Sequence, residues 1–235
     1  MNAAESLRTP QSAMEPDPRN LMFGSFDPQT VETHHSEIAA IQLSPAVPEN
    51  IAIQFETARN LYLYAWYVYR FYMVAASQAL STLEYGLRER VPTRLPQPYQ
   101  KPNQKQPTLA GLLGYAIDQG LIRNEGFRRW HHVAEGQARH RRTMEAFRIV
   151  IEQNLKSYEY DETAPLTITA EDQRWNLVQV LRETLPMERN ALAHGGSSLT
   201  NQVLGTLELV AEILSQLYPS AMTSTKHPDH QTNAP

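Results

Sequence analysis

The spacing of apolar residues along the chain predicts a protein built of helices. Between residues 49 and 90, apolar side chains recur every three or four positions, the repeat of one helix face. They are Ala58, Tyr62, Ala65, Tyr69, Tyr72, Ala76, Ala79, Leu83 and Leu87. Because Gly86 is the only glycine or proline in this stretch, we predict one long first core helix, ended by Pro92.

Two more helical patterns follow before residue 160. Residues 109–120 predict a helix with Thr108 as its N-cap and Gly120 near its end. Residues 125–160 also predict a helix, more clearly in their second half. Apart from a weak strand pattern at 165–169, every pattern is helical, so the predicted fold class is all-α, an up-and-down helical bundle.

Three helices are predicted in the last third of the chain. Thr169 is a suitable N-cap for a helix over 170–185. Pro186 suits the first turn of a short helix, because the N–H that proline lacks would have no partner there, and Gly195 suits the end of that helix. A last helix is predicted over about 199–217.

Composition divides the chain into a core and two poorly structured ends. Residues 1–49 are rich in proline and polar residues, which predicts a mostly irregular lead-in, and 219–235 predict a disordered tail. The core domain is predicted over 50–218. Within it, 92–163 form an insertion that begins with a proline-rich connector.

Overall composition excludes several function classes. The 235-residue chain has no cysteine and a formal net charge of −4 at pH 7. It therefore has no disulfide framework, thiolate metal site or cysteine nucleophile, and its charge argues against wholesale coating of nucleic acid. The first twenty residues lack the basic start and apolar run of a signal peptide, so we predict a cytoplasmic protein.

A twenty-residue run, 61–80, contains a single charge and has the length of a membrane span. That charge, Arg70, lies at its centre, where insertion costs about 2.5–3.5 kcal/mol. Five of the residues are tyrosines, and the helical pattern continues beyond the run at both ends. We therefore predict a bundle helix and no membrane contact.

No metal or cofactor site is predicted. The richest histidine cluster in the core, His131, His132 and His140 with Glu135, has the wrong order for a zinc-protease helix and lacks a further ligand. The chain also lacks a nucleophilic serine turn and a phosphate-binding glycine loop.

An arginine-rich stretch, 123–148, is one candidate for anion binding. It carries seven arginines against three glutamates. Trp130 lies beside two of the arginines and could stack on a base. RNA-binding candidates are Arg128, Arg129, Arg141 and Arg142. The alternative, which we favour for these residues, is an ordinary solvated helix face.

The second candidate is the stretch RNALAH, residues 189–194. Arg189 supplies a permanent charge and donors shaped for phosphate, and His194 can exchange protons near neutral pH. Together they provide the minimum chemistry for cleaving RNA without a metal. A surface arginine followed by a histidine at a helix C-terminus is the alternative interpretation.

In these residues the chain resembles the HEPN superfamily of all-helical nucleotide- and RNA-binding domains, whose motif is an arginine, usually a polar residue, and a histidine four to six positions after the arginine. Arg189, Asn190 and His194 match that motif. Residues 78–90 resemble the early helix of such domains, in which Glu84 would face the motif, and 204–218 resemble the closing helix.

The resemblance implies a metal-independent endoribonuclease that acts as a homodimer in a toxin–antitoxin or phage-defence system, with RNA as substrate and an antitoxin or regulator as a further partner. Arg189 would bind the scissile phosphate, Asn190 would orient it or the histidine, Glu84 would hold Arg189, and two copies of His194 would serve as base and acid. Because Gly195 and Gly196 follow the motif, the toxin subgroup with a tyrosine two positions after the histidine is not favoured. The alternative is a non-catalytic HEPN module that binds RNA, a nucleotide or a protein.

Overall fold

The computed structural model describes residues 5–22, 30–100, 106–158, 164–194 and 199–220. Within these ranges the chain forms eight α-helices and no strand, which confirms the all-α class. The helices are α1 (Pro18–Met22), α2 (Val31–Ala39), α3 (Glu49–Tyr64), α4 (Phe71–Arg90), α5 (Leu109–Asp118), α6 (Arg128–Glu152), α7 (Leu177–Ala193) and α8 (Leu204–Leu217). None of these helices is both long and apolar enough to cross a membrane.

Helix α4 is the centre of the bundle. It packs against α3, α5, α7 and α8. Its buried side chains include Leu80, Leu83 and Leu87, each with no exposed surface. At Gly86 the backbone approaches α8 so closely that an added Cβ would lie 2.5 Å from the Leu214 side chain. A larger residue at this position would force the Leu214 side chain to move, which explains a glycine within a helix.

The prediction of one long helix over 49–90 is wrong at residues 65–70. There the chain leaves the helical conformation and reverses, so that α3 packs along α4 as an antiparallel hairpin. Neither glycine nor proline occurs at the reversal. Its stabilising contacts come from the distant lead-in, which local sequence patterns do not report.

Two buried polar residues of the lead-in satisfy the backbone at this reversal. The Asp17 N–H donates to the carbonyl of Trp66 at 2.9 Å, and the Asp17 carboxylate accepts from the Tyr69 N–H at 3.3 Å. The Asn20 amide donates to the carbonyls of Ala65 and Trp66 at 3.0 and 2.9 Å. These backbone groups would otherwise be left unpaired where the helix stops. Residues 5–22 are thus packed on the bundle.

The Asp17 carboxylate is itself held by charge. Arg19 donates from Nε and Nη2 to its two oxygens, each at 2.9 Å, and the Asp17 side chain is fully buried. Burial alone raises the pKa of Asp17, but the hydrogen bonds from Arg19 and from the Tyr69 N–H outweigh burial and hold this pKa below its usual value. The ionised form of Asp17 is therefore the one that the fold requires.

Predicted helix ends agree with the structure in some places and not in others. Thr108 caps α5 by accepting from the Gly111 N–H, and Gly120 has the positive φ of +67° that is typical just after a helix, so both predictions are confirmed. Thr169 is not an N-cap, because α7 begins at Leu177 and is capped by Asn176. The Thr169 N–H and hydroxyl instead bond Asp172 in a turn.

The prediction that Pro186 begins a short helix is also wrong. Pro186 lies inside α7, which runs without a break from Leu177 to Ala193. Proline removes one intrahelical hydrogen bond, but the turn before it is held by the buried Leu181 and Leu185, and Leu192 packs on the core after it. The last helix starts at Leu204, five residues later than predicted, and Gly195 lies outside the described residues.

His34 links α2 to the core in its neutral form. Its side chain is buried, and its Nε2–H donates to the Tyr62 carbonyl at 2.8 Å. Burial lowers the pKa of His34 below 6.5, against the opposing effects of that hydrogen bond and the charge of Glu37. The unfolded chain therefore binds this proton at a higher pH than the folded chain does.

We accordingly expect stability to fall as the pH drops below 6.5, the ordinary histidine value. The free energy of unfolding, measured in urea, should be lower at about pH 5.5 than at about pH 7.5. A His34→Gln variant, which keeps a donor but does not titrate, should be less stable at neutral pH and lose less on acidification. An equal loss in both proteins would contradict this assignment.

Candidate functional site

A cleft of about 650 Å³ opens between the C-terminal half of α4, the start of α5 and the end of α7. Its lining includes all four residues that the sequence places in one site, although Glu84 is more than one hundred positions from the others in the chain. The polar residues most relevant to chemistry are Glu84, Arg88, Thr108, Arg189, Asn190 and His194. The fold therefore brings the predicted site residues together.

The predicted contact between Glu84 and Arg189 is present. Glu84 Oε2 lies 3.2 Å from Arg189 Nη2, and the other carboxylate oxygen, Oε1, accepts from Arg88 Nη2 at 2.6 Å. The Glu84 side chain is only 14% exposed, which limits the positions that its carboxylate can take. One carboxylate thus holds two guanidinium groups, one from α4 and one from α7.

Arg88 is the site residue that sequence analysis missed. Besides Glu84, its guanidinium donates to the Gln106 side chain at 3.0 Å and to the Pro107 carbonyl at 2.9 Å. These bonds fix Arg88 against the segment that leads into α5. Arg88 lies four residues after Glu84 and therefore on the same helix face. That spacing was the signal by which the sequence could have identified Arg88 as a site residue.

The charges in the cleft do not cancel. Two arginines face one glutamate, which leaves a net charge of +1 from these three groups. The Arg88 and Arg189 side chains are 32% and 40% exposed, so part of each guanidinium can reach a ligand. Guanidinium donors match phosphate oxygens in charge and geometry. The cleft is thus suited to an anion with several oxygen atoms.

His194 is at the C-terminal end of α7 on the same cleft. Its backbone N–H donates to the Asn190 carbonyl at 3.0 Å, which places it one turn after Asn190. The residue is exposed, and its ring has no hydrogen-bond partner within the described parts of the chain. Among the described residues that line the cleft, His194 is the only histidine, so these residues offer one imidazole for proton transfer.

The arginines of α6 are engaged elsewhere. Arg128 pairs with Glu208 at 2.8 Å, Arg129 donates to the Gly205 carbonyl at 3.2 Å, and Arg141 pairs with Asp172 at 2.8 Å. The Arg142 guanidinium donates to the carbonyl of Ala164 at 3.0 Å. None of the four lines the cleft. Their role in RNA binding stays a prediction, and these contacts fit the structural alternative.

Trp130 is not the stacking surface that the sequence suggested. Its side chain is only 5% exposed, and its indole N–H donates to the Trp175 carbonyl at 2.8 Å. In the neighbouring histidine cluster, His131 contacts the Glu125 carbonyl. Across the described residues, no three histidine, aspartate or glutamate side chains are grouped as metal ligands.

A second cavity, of about 640 Å³, has aromatic side chains in its lining together with residues 199–202 and Leu204. Its rings include those of His34, Tyr62, Trp66, Tyr69 and Tyr72, which contact one another. Each is at most 6% exposed, so none presents a free face on which a base could stack. This cluster joins the lead-in to the α3–α4 hairpin.

The chain was compared with protein families, curated proteins and solved structures, and none of them matches. The function of the protein is therefore inferred from the cleft and from the motif that lines it. The strongest single observation is that Glu84 links Arg189 to Arg88 in a cleft that also contains His194.

Proposed function

We propose that the protein is a cytoplasmic, metal-independent endoribonuclease of the HEPN superfamily. The contact of Glu84 with Arg189 beside His194 carries the proposal, because it orients a phosphate-binding group next to a proton-exchanging one. A toxin or phage-defence setting, with an antitoxin or regulator as partner, follows from the resemblance alone.

The reaction needs one base and one acid. An imidazole takes the proton of a ribose 2′-hydroxyl, whose oxygen then attacks the adjacent phosphorus. The bond from phosphorus to the 5′-oxygen breaks, and an acid gives that oxygen a proton. The products are a 2′,3′-cyclic phosphate and a 5′-hydroxyl. Since His194 is the only histidine among the described residues of the cleft lining, we assign the second imidazole to His194 of a second copy.

The remaining cleft residues bind and orient the phosphate. Arg189 and Arg88 donate to its non-bridging oxygens, on which negative charge increases as the 2′-oxygen attacks. Glu84 binds both guanidinium groups through its two carboxylate oxygens and so holds them at the cleft. Asn190, one helical turn before His194, orients the phosphate or the imidazole.

A non-catalytic module that binds RNA or a nucleotide is the second candidate. One observation favours it: the cleft contains two arginines and an exposed histidine, but no second histidine among the described residues that line it. Such a protein would bind RNA through the two arginines and leave it intact.

The deciding experiment incubates the purified protein with single-stranded RNA in EDTA. Cleavage products that carry 2′,3′-cyclic phosphate ends, absent when the His194→Gln protein is used, would support the nuclease. Intact RNA after long incubation with a folded protein that binds it would reject cleavage in favour of the binding module.

Replacing Arg88 tests the one site residue that the structure identifies and the sequence did not. In the His194→Gln background, Arg88→Ala should weaken binding of a short labelled RNA roughly tenfold. It should also reduce the slope of log affinity against log salt concentration by about the value of one phosphate contact. Fluorescence anisotropy at several salt concentrations measures both. Arg94→Ala removes an exposed arginine of the same region and is the matched control. Equal effects of the two changes would contradict a specific role for Arg88.

A further inference from the structure

The cleft is larger than a phosphate site requires. Its volume of about 650 Å³ lies in the range of pockets that hold whole small-molecule ligands, whereas one phosphate group fills a small part of it. The groups to which the proposed function gives a role come from α4 and from the end of α7. The rest of the described lining consists of residues 106–110 and Pro186. This remaining region is where a second part of the ligand would lie.

The remaining region of the lining is mostly apolar. Pro107, Leu109, Ala110 and Pro186 belong to it. Ala110 is exposed and Pro186 is half-buried, so both side chains have surface that a ligand can cover. Pro186 lies one helical turn before Asn190 on α7, so the same side of the helix presents both residues to the cleft. A ligand that extends beyond its phosphate would therefore bury apolar surface here.

Gln106 supplies a hydrogen-bonding group beside the phosphate site. Its Oε1 accepts from Arg88 Nη1 at 3.0 Å, and this bond fixes which end of the amide faces Arg88. The Nε2 group makes no hydrogen bond within the described parts of the chain, and Gln106 is exposed. Its two N–H groups are therefore free for a ligand. Because the amide contacts Arg88 directly, one nucleotide is long enough to reach both Nε2 and a phosphate at Arg88.

We propose that the cleft holds a nucleobase next to the phosphate, with Gln106 donating to the edge of the base and Ala110 and Pro186 packing against its face. A nucleobase matches this region in two respects. Its face is flat and weakly polar, and every base carries acceptor atoms on its edge. The base must be unpaired, because a base inside a duplex is stacked on both faces. The ligand is thus an unpaired nucleotide of RNA, bound through base and phosphate together.

This inference rests on the proposed function only as far as phosphate binding in the cleft, since it needs no cleavage. The two can therefore fail separately. RNA that binds no better than a chain of ribose phosphates would overturn the base subsite and leave the nuclease in place. Base-dependent binding without any cleavage would support the base subsite and reject the nuclease.

The first test compares two ligands with the same number of phosphates. One is a four-nucleotide uridine RNA, and the other is the corresponding chain of ribose phosphates without bases. The His194→Gln protein keeps the RNA intact, and calorimetric titration at one salt concentration measures both dissociation constants. The RNA should bind roughly tenfold more tightly, because a base adds a hydrogen bond and apolar burial to equal phosphate contacts. Equal affinities would overturn the base subsite.

The second test replaces the hydrogen-bond donor. In the same background, Gln106→Met keeps the length of the side chain and removes its donors. It should weaken binding of the uridine RNA roughly fivefold, the usual value of one hydrogen bond, and leave binding of the abasic chain nearly unchanged. Gln137→Met changes an exposed glutamine of α6 outside the cleft and should affect neither ligand. Equal weakening of both ligands by Gln106→Met would mean that Gln106 acts only by holding Arg88, and would overturn the base contact.

The third test concerns the apolar part of the subsite. Pro186→Ala restores the N–H that proline lacks inside α7, so the variant should fold at least as well as the wild type. Loss of the ring should weaken binding of the uridine RNA roughly threefold and spare the abasic chain. Circular dichroism measures the helix content of the variant. An unchanged ratio between the affinities of the two ligands would overturn the packing of the base on Pro186.

Discussion

Replacing His194 by glutamine should slow RNA cleavage roughly 10²–10⁴-fold, the usual effect of removing a general acid or base. Glutamine keeps hydrogen-bonding capacity at the end of α7 but cannot exchange a proton near neutral pH. RNA binding should be nearly unchanged, because the two arginines that supply the positive charge of the cleft remain. Single-turnover cleavage of a labelled RNA, with binding measured separately, distinguishes the two effects.

His132 provides the matched control, since it is also exposed but lies on α6 and outside the cleft. His132→Gln should cleave at the wild-type rate. If both variants cleaved equally well, His194 would have no role in proton transfer. If His194→Gln lost binding and cleavage to the same degree, its role would be in holding RNA.

The second large effect concerns stability and comes from the lead-in. Asp17→Ala should lower the free energy of unfolding by about 3 kcal/mol, because it leaves the Tyr69 N–H and the Arg19 guanidinium without their buried acceptor. The folded state needs the ionised carboxylate, so the difference between wild type and variant should shrink in acid as Asp17 becomes protonated. Urea unfolding followed by circular dichroism measures both.

Glu15 is the control for this experiment. It is an exposed carboxylate two residues before Asp17, and its replacement by alanine should change stability by less than about 0.5 kcal/mol. A small effect of Asp17→Ala, similar to that of Glu15→Ala, would mean that residues 5–22 add little to the stability of the bundle.

Sequence patterns predicted the helical class and the buried stripes. Each buried helix face needs apolar residues every three or four positions, and this repeat can be seen within a short stretch of sequence. They failed at residues 65–70 for a physical reason. A reversal without glycine or proline depends on Asp17 and Asn20, whose contacts span 45 to 52 positions in the chain. At Pro186 the local signal for a helix start was wrong, because contacts of α7 with the core on both sides of the proline keep the helix continuous.

For the site, the chemistry of Arg189 and His194 and the choice of Glu84 could be predicted from residue types and a resemblance. The distances could not, because they depend on how α4 and α7 pack. Arg88 was missed since its role follows from Gln106 and Pro107, a segment that the sequence presented only as a connector. The structural contacts of the α6 arginines could not be predicted either. The residues that they bind, on α8 and at Asp172, are far away in the sequence.

The reversal between α3 and α4 has a consequence for domain swapping. The apolar stripe continues through it, so nothing in residues 49–90 themselves prevents one helix of about 63 Å. If the contacts of Asp17 and Asn20 were lost, α3 could swing away from its own α4 and pack on the α4 of a neighbouring molecule. The contacts of Asp17 and Asn20 therefore help to keep the α3–α4 hairpin closed within one molecule.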